Sequence, residues 1–159
     1  MRASARQWVA EMGRIVGIDP GQARIGVAIS DEEGSIAFPR ETVQAKGGTV
    51  EAARRVREAL ADEDVSLAVV GLPLRLDGTE GEAARRARVF GDALAKALDV
   101  EVVYWDERLT TVAAERSLRE MGLRGAKQRG VVDQSAATIL LQGYLDANKG
   151  GTWMDPDSP

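Results

Sequence analysis

The sequence predicts an α/β domain built on one five-stranded mixed sheet, and three observations support this prediction. Residues 14–18 and 25–29 are rich in Ile and Val and are separated by the turn formers Pro20, Gly21 and Gln22, which indicates a β-hairpin. The apolar run VSLAVVGL is typical of a central parallel strand that is covered on both faces. Between the later strands, apolar residues recur at helical spacing, which predicts helices that flank the sheet.

The third strand and the first helix follow the hairpin. Residues 36–43 can add a strand, and Pro39, which cannot donate a hydrogen bond to a neighbour, favours a place at the edge of the sheet. Gly47 and Gly48 interrupt the pattern before Thr49, which we predict to be the N-cap of a helix. One face of this helix is apolar and carries Val50, Ala53, Val56 and Leu60.

The two later strands each end in a loop that precedes a helix. Residues 65–72 form the central strand, and Thr79 and Glu82 after it have the spacing of a capping box, which predicts the start of a helix there. Apolar residues continue at helical intervals as far as Leu98. Residues 101–105 form the last strand, which ends at an Asp-Glu pair as the first strand ends at an Asp.

A basic segment separates two further predicted helices in the last third of the chain. Thr110 and Thr111 offer caps for the first of these helices, and Gly122 is a natural stop. Residues 119–130 form a predicted loop in which basic side chains outnumber the single acid Glu120; the basic residues are Arg119, Arg124, Lys127 and Arg129. The last helix begins near Asp133 and carries an apolar face with Ala136, Ala137, Leu140 and Tyr144.

We divide the chain into an extension, one domain and a tail. Residues 1–13 contain no apolar stretch long enough for a signal peptide or a membrane span, so we interpret them as an N-terminal extension and expect no membrane partner. Residues 14–148 form the α/β domain. Residues 149–159 show neither helical nor strand periodicity and form a flexible C-terminal tail.

The acidic residues at the strand ends are the candidate functional site. Right-handed crossovers place the later strands parallel to the first, most economically in the sheet order 3-2-1-4-5. Asp19, Asp106 and Glu107 then lie at one edge of the sheet, with the first and fifth strands roughly 10 Å apart. Asp133 shares the face of the last helix that packs on the sheet. Each acid alone has an ordinary explanation as a turn residue, a solvated strand end or an N-cap. Their convergence indicates a site.

Composition decides what chemistry such a site can carry. The chain has no Cys and no His, which excludes thiolate nucleophiles, imidazole bases and Cys- or His-ligated metals, and a lack of Cys suits a reducing cytosol. Carboxylate oxygens are the ligands of hard cations, so we predict Mg²⁺ or Mn²⁺, and two such ions can promote phosphodiester hydrolysis. The net charge of -4 does not indicate a nucleic-acid binder, and only local basic patches could serve that purpose.

Four motifs follow one another in the order and spacing of a known family. The sequence reads GIDPGQARIGVAISD, then VVGLPLRLDGTEG, then DERLTT followed by AE, and finally VVDQSAATILLQGYL. These motifs, from about residue 14 to residue 148, resemble those of the YqgF family, also called RuvX, whose fold is RNase H-like. The resemblance implies a bacterial cytoplasmic nuclease that processes the 5′ end of pre-16S ribosomal RNA.

The resemblance also assigns roles to residues of this chain. The family's first acid falls on Asp19, its strand-five acid on Glu107 and its last acid on Asp133, while Asp106 is a weaker candidate. The family was earlier proposed to resolve Holliday junctions because of its similarity to RuvC. RuvC has an acid at the end of its fourth strand, whereas Gly71 and the residues after it offer none here, which weakens the transfer of the resolvase mechanism.

Three functions remain open at this stage. The first is a metal-dependent nuclease that acts on RNA. The second is resolution of branched DNA, which would require a homodimer with two sites, whereas the sequence alone allows a monomer or a homodimer. The third is a binding module that does not cut, although the presence of all three acids speaks against it. The basic residues Arg124, Lys127 and Arg129 are either a solvated loop or a contact to the phosphate backbone of the substrate.

Overall fold

The computed structural model describes residues 13–109 and 136–148 of the chain. Within these residues, five strands and three helices follow one another along the chain: β1 (Arg14–Pro20), β2 (Arg24–Ser30), β3 (Ala37–Gln44), α1 (Thr49–Ala59), β4 (Val65–Leu72), α2 (Glu82–Leu98), β5 (Glu101–Asp106) and α3 (Ala136–Ala147). A single 3₁₀ turn, Glu107–Leu109, follows β5.

The five strands form one mixed sheet in the order β3-β2-β1-β4-β5, which confirms the predicted order. β1 pairs antiparallel with β2 and parallel with β4, and β5 is parallel to β4. β3 is an edge strand, as Pro39 predicts, and its register against β2 shifts next to the Pro39–Ala28 pair. The proline ring removes one hydrogen-bond donor there, so the shift falls where the ladder is weakest.

Helices cover both faces of the sheet, and the side chains of β1 alternate between the two cores. Val16 and Ile18 face α1 and α2 in one apolar cluster, which includes Phe90 and Leu94 of α2. Ile15 faces α3 in the second cluster, in which Leu141 and Tyr144 of the helix are buried. This alternation with period two means that Asp19 belongs to the α3 face of β1.

Two glycines of the sheet face α3 and allow it to pack closely. A Cβ atom at Gly17 of β1 would lie 2.6 Å from Cβ of Leu141, and one at Gly26 of β2 would lie 3.3 Å from Cβ of Ala137 and 3.7 Å from Cβ of Asp19. A side chain at Gly17 would block this approach of the helix, and one at Gly26 would require its neighbours to shift by a few tenths of an ångström. As a result, Ala137 of α3 lies close to Asp19.

Hydrogen bonds of the buried Gln142 connect α3 to the edge of the sheet. Oε1 of Gln142 accepts a hydrogen bond from the amide of Ala37, at 2.9 Å. Its Nε2 donates to the carbonyl oxygen of Ser35, at 3.0 Å, and to Oδ1 of Asp146, at 2.9 Å. Since an unsatisfied buried amide is destabilising, these bonds fix the position of the helix along the sheet.

Two predicted helix starts are wrong, one by one residue and the other by two. The N-cap of α1 is Gly48 rather than Thr49, and the N-cap of α2 is Gly81 rather than Thr79. The side chain of Asp77 explains the second error, because its Oδ1 accepts bonds from the amide and the hydroxyl of Thr79, at 2.9 and 2.6 Å. Because Thr79 is part of this local turn, it does not cap the helix, and the helix begins further along the chain.

Several predicted features lie outside the described residues. They are the helix and basic segment between residues 110 and 130, Asp133, the extension at residues 1–12 and the tail at residues 149–159. In the part of the chain that the structure describes, no helix combines the length and apolar character needed to cross a membrane.

Candidate active site

Two acidic side chains meet at the carboxyl end of the sheet. Asp19 lies near the end of β1, opposite Gly26 of β2. Glu107 directly follows the last residue of β5 and begins the 3₁₀ turn. Since β4 lies between β1 and β5, the two side chains must span the width of one strand. The structure brings them together, and the Glu107 carboxyl hydrogen-bonds to Asp19.

Gly71 of β4 makes this contact possible. It pairs with Trp105 of β5 and lies on the strand that separates the two acids. A Cβ atom at Gly71 would lie 2.7 Å from Oε1 and 3.2 Å from Cγ of Glu107, closer than side-chain atoms pack without displacement. The missing side chain therefore leaves the space in which Glu107 crosses β4 toward Asp19.

The proximity of the two acids changes the protonation of Glu107. Burial is the largest cause, followed by the hydrogen bond to Asp19 and the negative charges of Asp19 and Asp106, and together they raise the pKa of Glu107 from 4.5 to about 7. Near neutral pH, Glu107 therefore exists in both its protonated and its charged form. A cation at this position would favour the charged form, because its positive charge stabilises the carboxylate against both the burial and the neighbouring acids.

Asp106, the weaker candidate, has a different environment. The amide of Arg108 donates to its Oδ1 at 2.9 Å, and the guanidinium of Arg108 contacts both carboxylate oxygens, with Nη2 at 2.7 Å from Oδ2. These hydrogen bonds hold the pKa of Asp106 below its ordinary value. A cation of the chain itself thus neutralises Asp106, whereas Glu107 contacts another acid.

A cleft lies on the α1 and α2 side of the sheet, next to the strand ends that carry the two acids. It has a volume of about 610 Å³, and both Asp19 and Glu107 line it. The turn between β1 and β2, the start of α1 and the first half of α2 form its walls. The two acidic residues therefore border a depression large enough for part of a substrate.

The donor set fits a divalent cation. Asp19 and Glu107 offer only oxygen atoms, which are the ligands that Mg²⁺ and Mn²⁺ prefer. Residues 13–109 and 136–148 contain no group of three acidic, His or Cys side chains that could hold a metal ion. The third predicted ligand, Asp133, lies outside these residues, as do the predicted substrate contacts Arg124, Lys127 and Arg129. Their roles stay predictions.

Gly71 contributes to the site in a way that the motifs do not indicate. In the sequence, the end of the fourth strand only lacks an acid, whereas in the structure its glycine accommodates the acid of the next strand. The available signal was a glycine at the end of an otherwise β-branched and apolar run, since a glycine inside a strand often marks a close approach of another group.

This architecture defines the class of the protein as an RNase H-like domain with a carboxylate pair at the carboxyl edge of its sheet. It resembles the solved structure of Thermus thermophilus RuvC in complex with a Holliday junction substrate, with a TM-score of 0.56 and 18% identity over 87% of this chain and 96% of that one. A second T. thermophilus RuvC structure gives a TM-score of 0.51 at 16% identity.

The chain belongs to the RuvX family. The family model, described as "RuvX: Holliday junction resolvase", matches residues 13–147. A relative from Acetivibrio thermocellus named "Putative pre-16S rRNA nuclease" is 44% identical over 135 residues, which cover 84% of this chain and 96% of the relative. A relative of the same name from Mycobacterium leprae is 43% identical over 150 residues, which cover 94% of this chain and 81% of the relative. The family predicted from the four motifs is thus confirmed.

Proposed function

We propose that the chain is a metal-dependent nuclease that hydrolyses phosphodiester bonds in RNA and helps to process the 5′ end of pre-16S ribosomal RNA. The observation that carries the proposal is the Asp19–Glu107 contact over Gly71, which joins two acids from separate strands beside an open cleft. The names of the relatives from A. thermocellus and M. leprae support the choice of substrate.

Each acid of the chain has a defined part in this proposal. Asp19, Glu107 and Asp133 would hold the divalent cation, Mg²⁺ or Mn²⁺, and space for two ions is part of the proposal. When bound, such ions activate a water molecule and stabilise the leaving oxygen of the phosphodiester. Glu107 must release its proton from the Asp19 contact before it can act as a ligand. Gly71 orients Glu107, and Asp106 stays paired with Arg108.

Resolution of four-way DNA junctions is the second candidate function. The description of the family and the RuvC-like fold favour it. It requires two sites related by a two-fold axis, so it would need a homodimer, whereas cleavage of RNA can use a monomer. The two functions are separated by incubating the purified protein and Mn²⁺ with labelled single-stranded RNA, single-stranded DNA and four-way DNA junctions of matched sequence. Cleavage of the junction alone would replace the first proposal with the second.

Divalent metal should raise the melting temperature of the protein. An ion that binds only the folded state stabilises it by about 2.7 kcal/mol at 100 times its dissociation constant. We expect Mg²⁺ and Mn²⁺ to produce this shift, and Glu107→Gln to reduce it strongly because the variant loses a ligand. Thermal unfolding against metal concentration is the measurement.

Glu101→Gln, at the exposed opposite end of β5, is the control and should keep the full shift. A shift that persists in Glu107→Gln would contradict the assignment.

The basic residues of the loop should determine the salt dependence of binding. Replacing Arg124, Lys127 and Arg129 together with Ala removes up to three phosphate contacts. For single-stranded RNA, the slope of log affinity against log salt should then fall by about 0.7 per lost contact, or about 2 in total. The measurement is a salt titration of binding to uncleaved RNA in Ca²⁺.

The triple substitution also removes positive charge from the protein. A second variant with the same change in net charge therefore serves as the control. It replaces three cations on the described helices, namely Arg54, Arg57 and Lys96, which are exposed and do not line the cleft that Asp19 and Glu107 line. Its slope should remain that of the unmodified protein. Equal slopes in all three proteins would show that the loop is a solvated connector that does not hold the substrate.

A further inference from the structure

Both apolar and polar side chains line the cleft beside the acid pair. Pro73 and the α2 residues Ala83, Ala87 and Phe90 provide apolar surface, and Ile25 and Ala52 complete it from the opposite side. Polar groups lie among them: Gln22 of the β1–β2 turn, Thr49 at the start of α1 and Arg86 of α2. The cleft therefore combines an apolar interior with a few polar groups, as sites for small organic ligands do.

The size of the cleft limits what can enter it. Its volume of about 610 Å³ lies within the range of roughly 300 to 1,000 Å³ that small-molecule pockets occupy. A single nucleotide fits such a space. A base pair inside a duplex does not, because both of its bases are stacked and joined to the partner strand. An occupant attached to a nucleic acid must therefore be unpaired.

A positively charged side chain and an aromatic ring of the cleft also favour an unpaired nucleotide. Arg86 is about half exposed, and it pairs with Glu82 at 3.1 Å, a surface ion pair that contributes little to stability and can exchange for a phosphate. Phe90 belongs to the apolar core and also lines the cleft, so it offers an aromatic edge or face to a ring that enters. Unpaired RNA bases are commonly recognised by stacking on aromatic side chains and arginine planes.

We propose that this cleft binds one unpaired nucleotide of the substrate strand next to the phosphodiester that the acid pair cuts. The base enters between α1 and α2, and the phosphate of this nucleotide contacts Arg86. This inference rests on the proposed nuclease function, and it specifies the substrate as a strand with an unpaired nucleotide at the cut. A fully paired arm of a four-way junction offers no such nucleotide unless it first opens.

Filling the cleft tests the proposal. Ala83 is exposed on α2 and lines the cleft, so Ala83→Trp obstructs it without overpacking the core. Val89→Trp places the same residue on the same helix at an exposed position that does not line the cleft, and it serves as the control. In Ca²⁺, binding of a short labelled single-stranded RNA should weaken about 5- to 150-fold in Ala83→Trp and stay unchanged in Val89→Trp. Binding of a duplex of the same sequence should stay unchanged in both.

A scan with abasic nucleotides locates the bound base. Single-stranded RNAs that lack one base at successive positions should bind the unmodified protein equally well except at one position, where affinity falls by a similar factor. In Ala83→Trp this difference should vanish, because the cleft no longer accepts the base. Arg86→Ala should lower the slope of log affinity against log salt by about 0.7, whereas Arg57→Ala, on α1 away from the cleft, should not.

The results that would contradict the nucleotide site are different from those that would contradict the proposed nuclease function. A flat abasic scan together with normal binding by Ala83→Trp would overturn the nucleotide site even if RNA is cleaved. Equal losses for single-stranded and duplex RNA would also overturn it, since a paired base cannot enter. Absence of metal-dependent cleavage would overturn the nuclease function, while the binding scan would still show whether the cleft accepts a base.

Discussion

Asp19→Asn should reduce RNA cleavage by about 100-fold or more while leaving the protein folded. The loss follows from the role of the carboxylate, because metal-assisted stabilisation of charge contributes several kcal/mol and each 1.4 kcal/mol corresponds to a factor of ten. The fold should persist because Asp19 contributes to neither apolar cluster of the core. The measurement is the single-turnover cleavage rate of labelled RNA in Mn²⁺.

The same variant should be more stable than the unmodified protein when metal is absent. Asn has no charge, so it relieves the repulsion between residues 19 and 107 and still hydrogen-bonds to Glu107. The metal-free melting temperature should therefore rise slightly. A variant that loses both activity and stability would show that Asp19 supports the fold, and one that cuts at the normal rate would remove Asp19 from the mechanism.

The pH dependence of stability provides a separate test of the acid pair. The pKa of Glu107 is about 7 in the folded protein and near its ordinary value of 4.5 in the unfolded chain. Between these values the unfolded state releases a proton that the folded state keeps, so the stability of the metal-free protein should fall as the pH rises from about 4.5 through 7. Chemical unfolding at several pH values measures this trend, which should be weaker in Asp19→Asn.

Asp106→Asn is the matched control for both measurements. It removes the same charge one residue away from Glu107, but from a carboxylate that Arg108 already neutralises. We expect a smaller loss of cleavage, and a small loss of stability because an ion pair with several hydrogen bonds disappears. If Asp106→Asn abolished cleavage and Glu107→Gln did not, the assignment of the strand-five acid would be wrong.

The sequence was sufficient to predict the sheet because each strand carries its own signal. Pro39 marks the edge strand, the apolar run at residues 65–72 marks the central one, and the handedness of crossovers determines the order. The approach of Asp19 and Glu107 follows from that order. These features depend on residue type and position along a strand, which a single sequence displays directly.

The features that the sequence does not predict are the start of α2, the choice between two neighbouring acids, and the cleft. Each of them depends on which groups are in contact in the folded protein. Thr79 has the spacing of a capping box, but Asp77 binds it in a turn, and a spacing rule cannot decide between two partners that are both near in sequence. Asp106 and Glu107 are neighbours in the chain, yet Glu107 contacts Asp19 whereas Asp106 pairs with Arg108. The cleft is formed by the β1–β2 turn and two helices, so no single motif indicates it.

Gly71→Ala should reduce cleavage strongly although it adds only one methyl group. The new Cβ would lie 2.7 Å from Oε1 of Glu107, so the carboxyl must move away from Asp19. A displacement of about 1 Å in a catalytic group can lower the rate roughly 100-fold. The backbone of Gly71 does not have a positive φ, so alanine is tolerated there, and we expect the melting temperature of the metal-free protein to change little. Cleavage rate and metal-induced melting shift should both fall.

A double-mutant cycle shows whether Gly71 acts through Glu107. If the methyl group only displaces that carboxyl, Gly71→Ala should have almost no further effect on the melting shift in the Glu107→Gln background, and the two changes should be strongly non-additive. The pKa of Glu107, measured by NMR in the metal-free protein, should also fall in Gly71→Ala because the carboxyl leaves its half-buried position beside Asp19. Additive effects, or an unchanged pKa with lost activity, would mean that Gly71 serves the fold of β4 and does not position the acid pair.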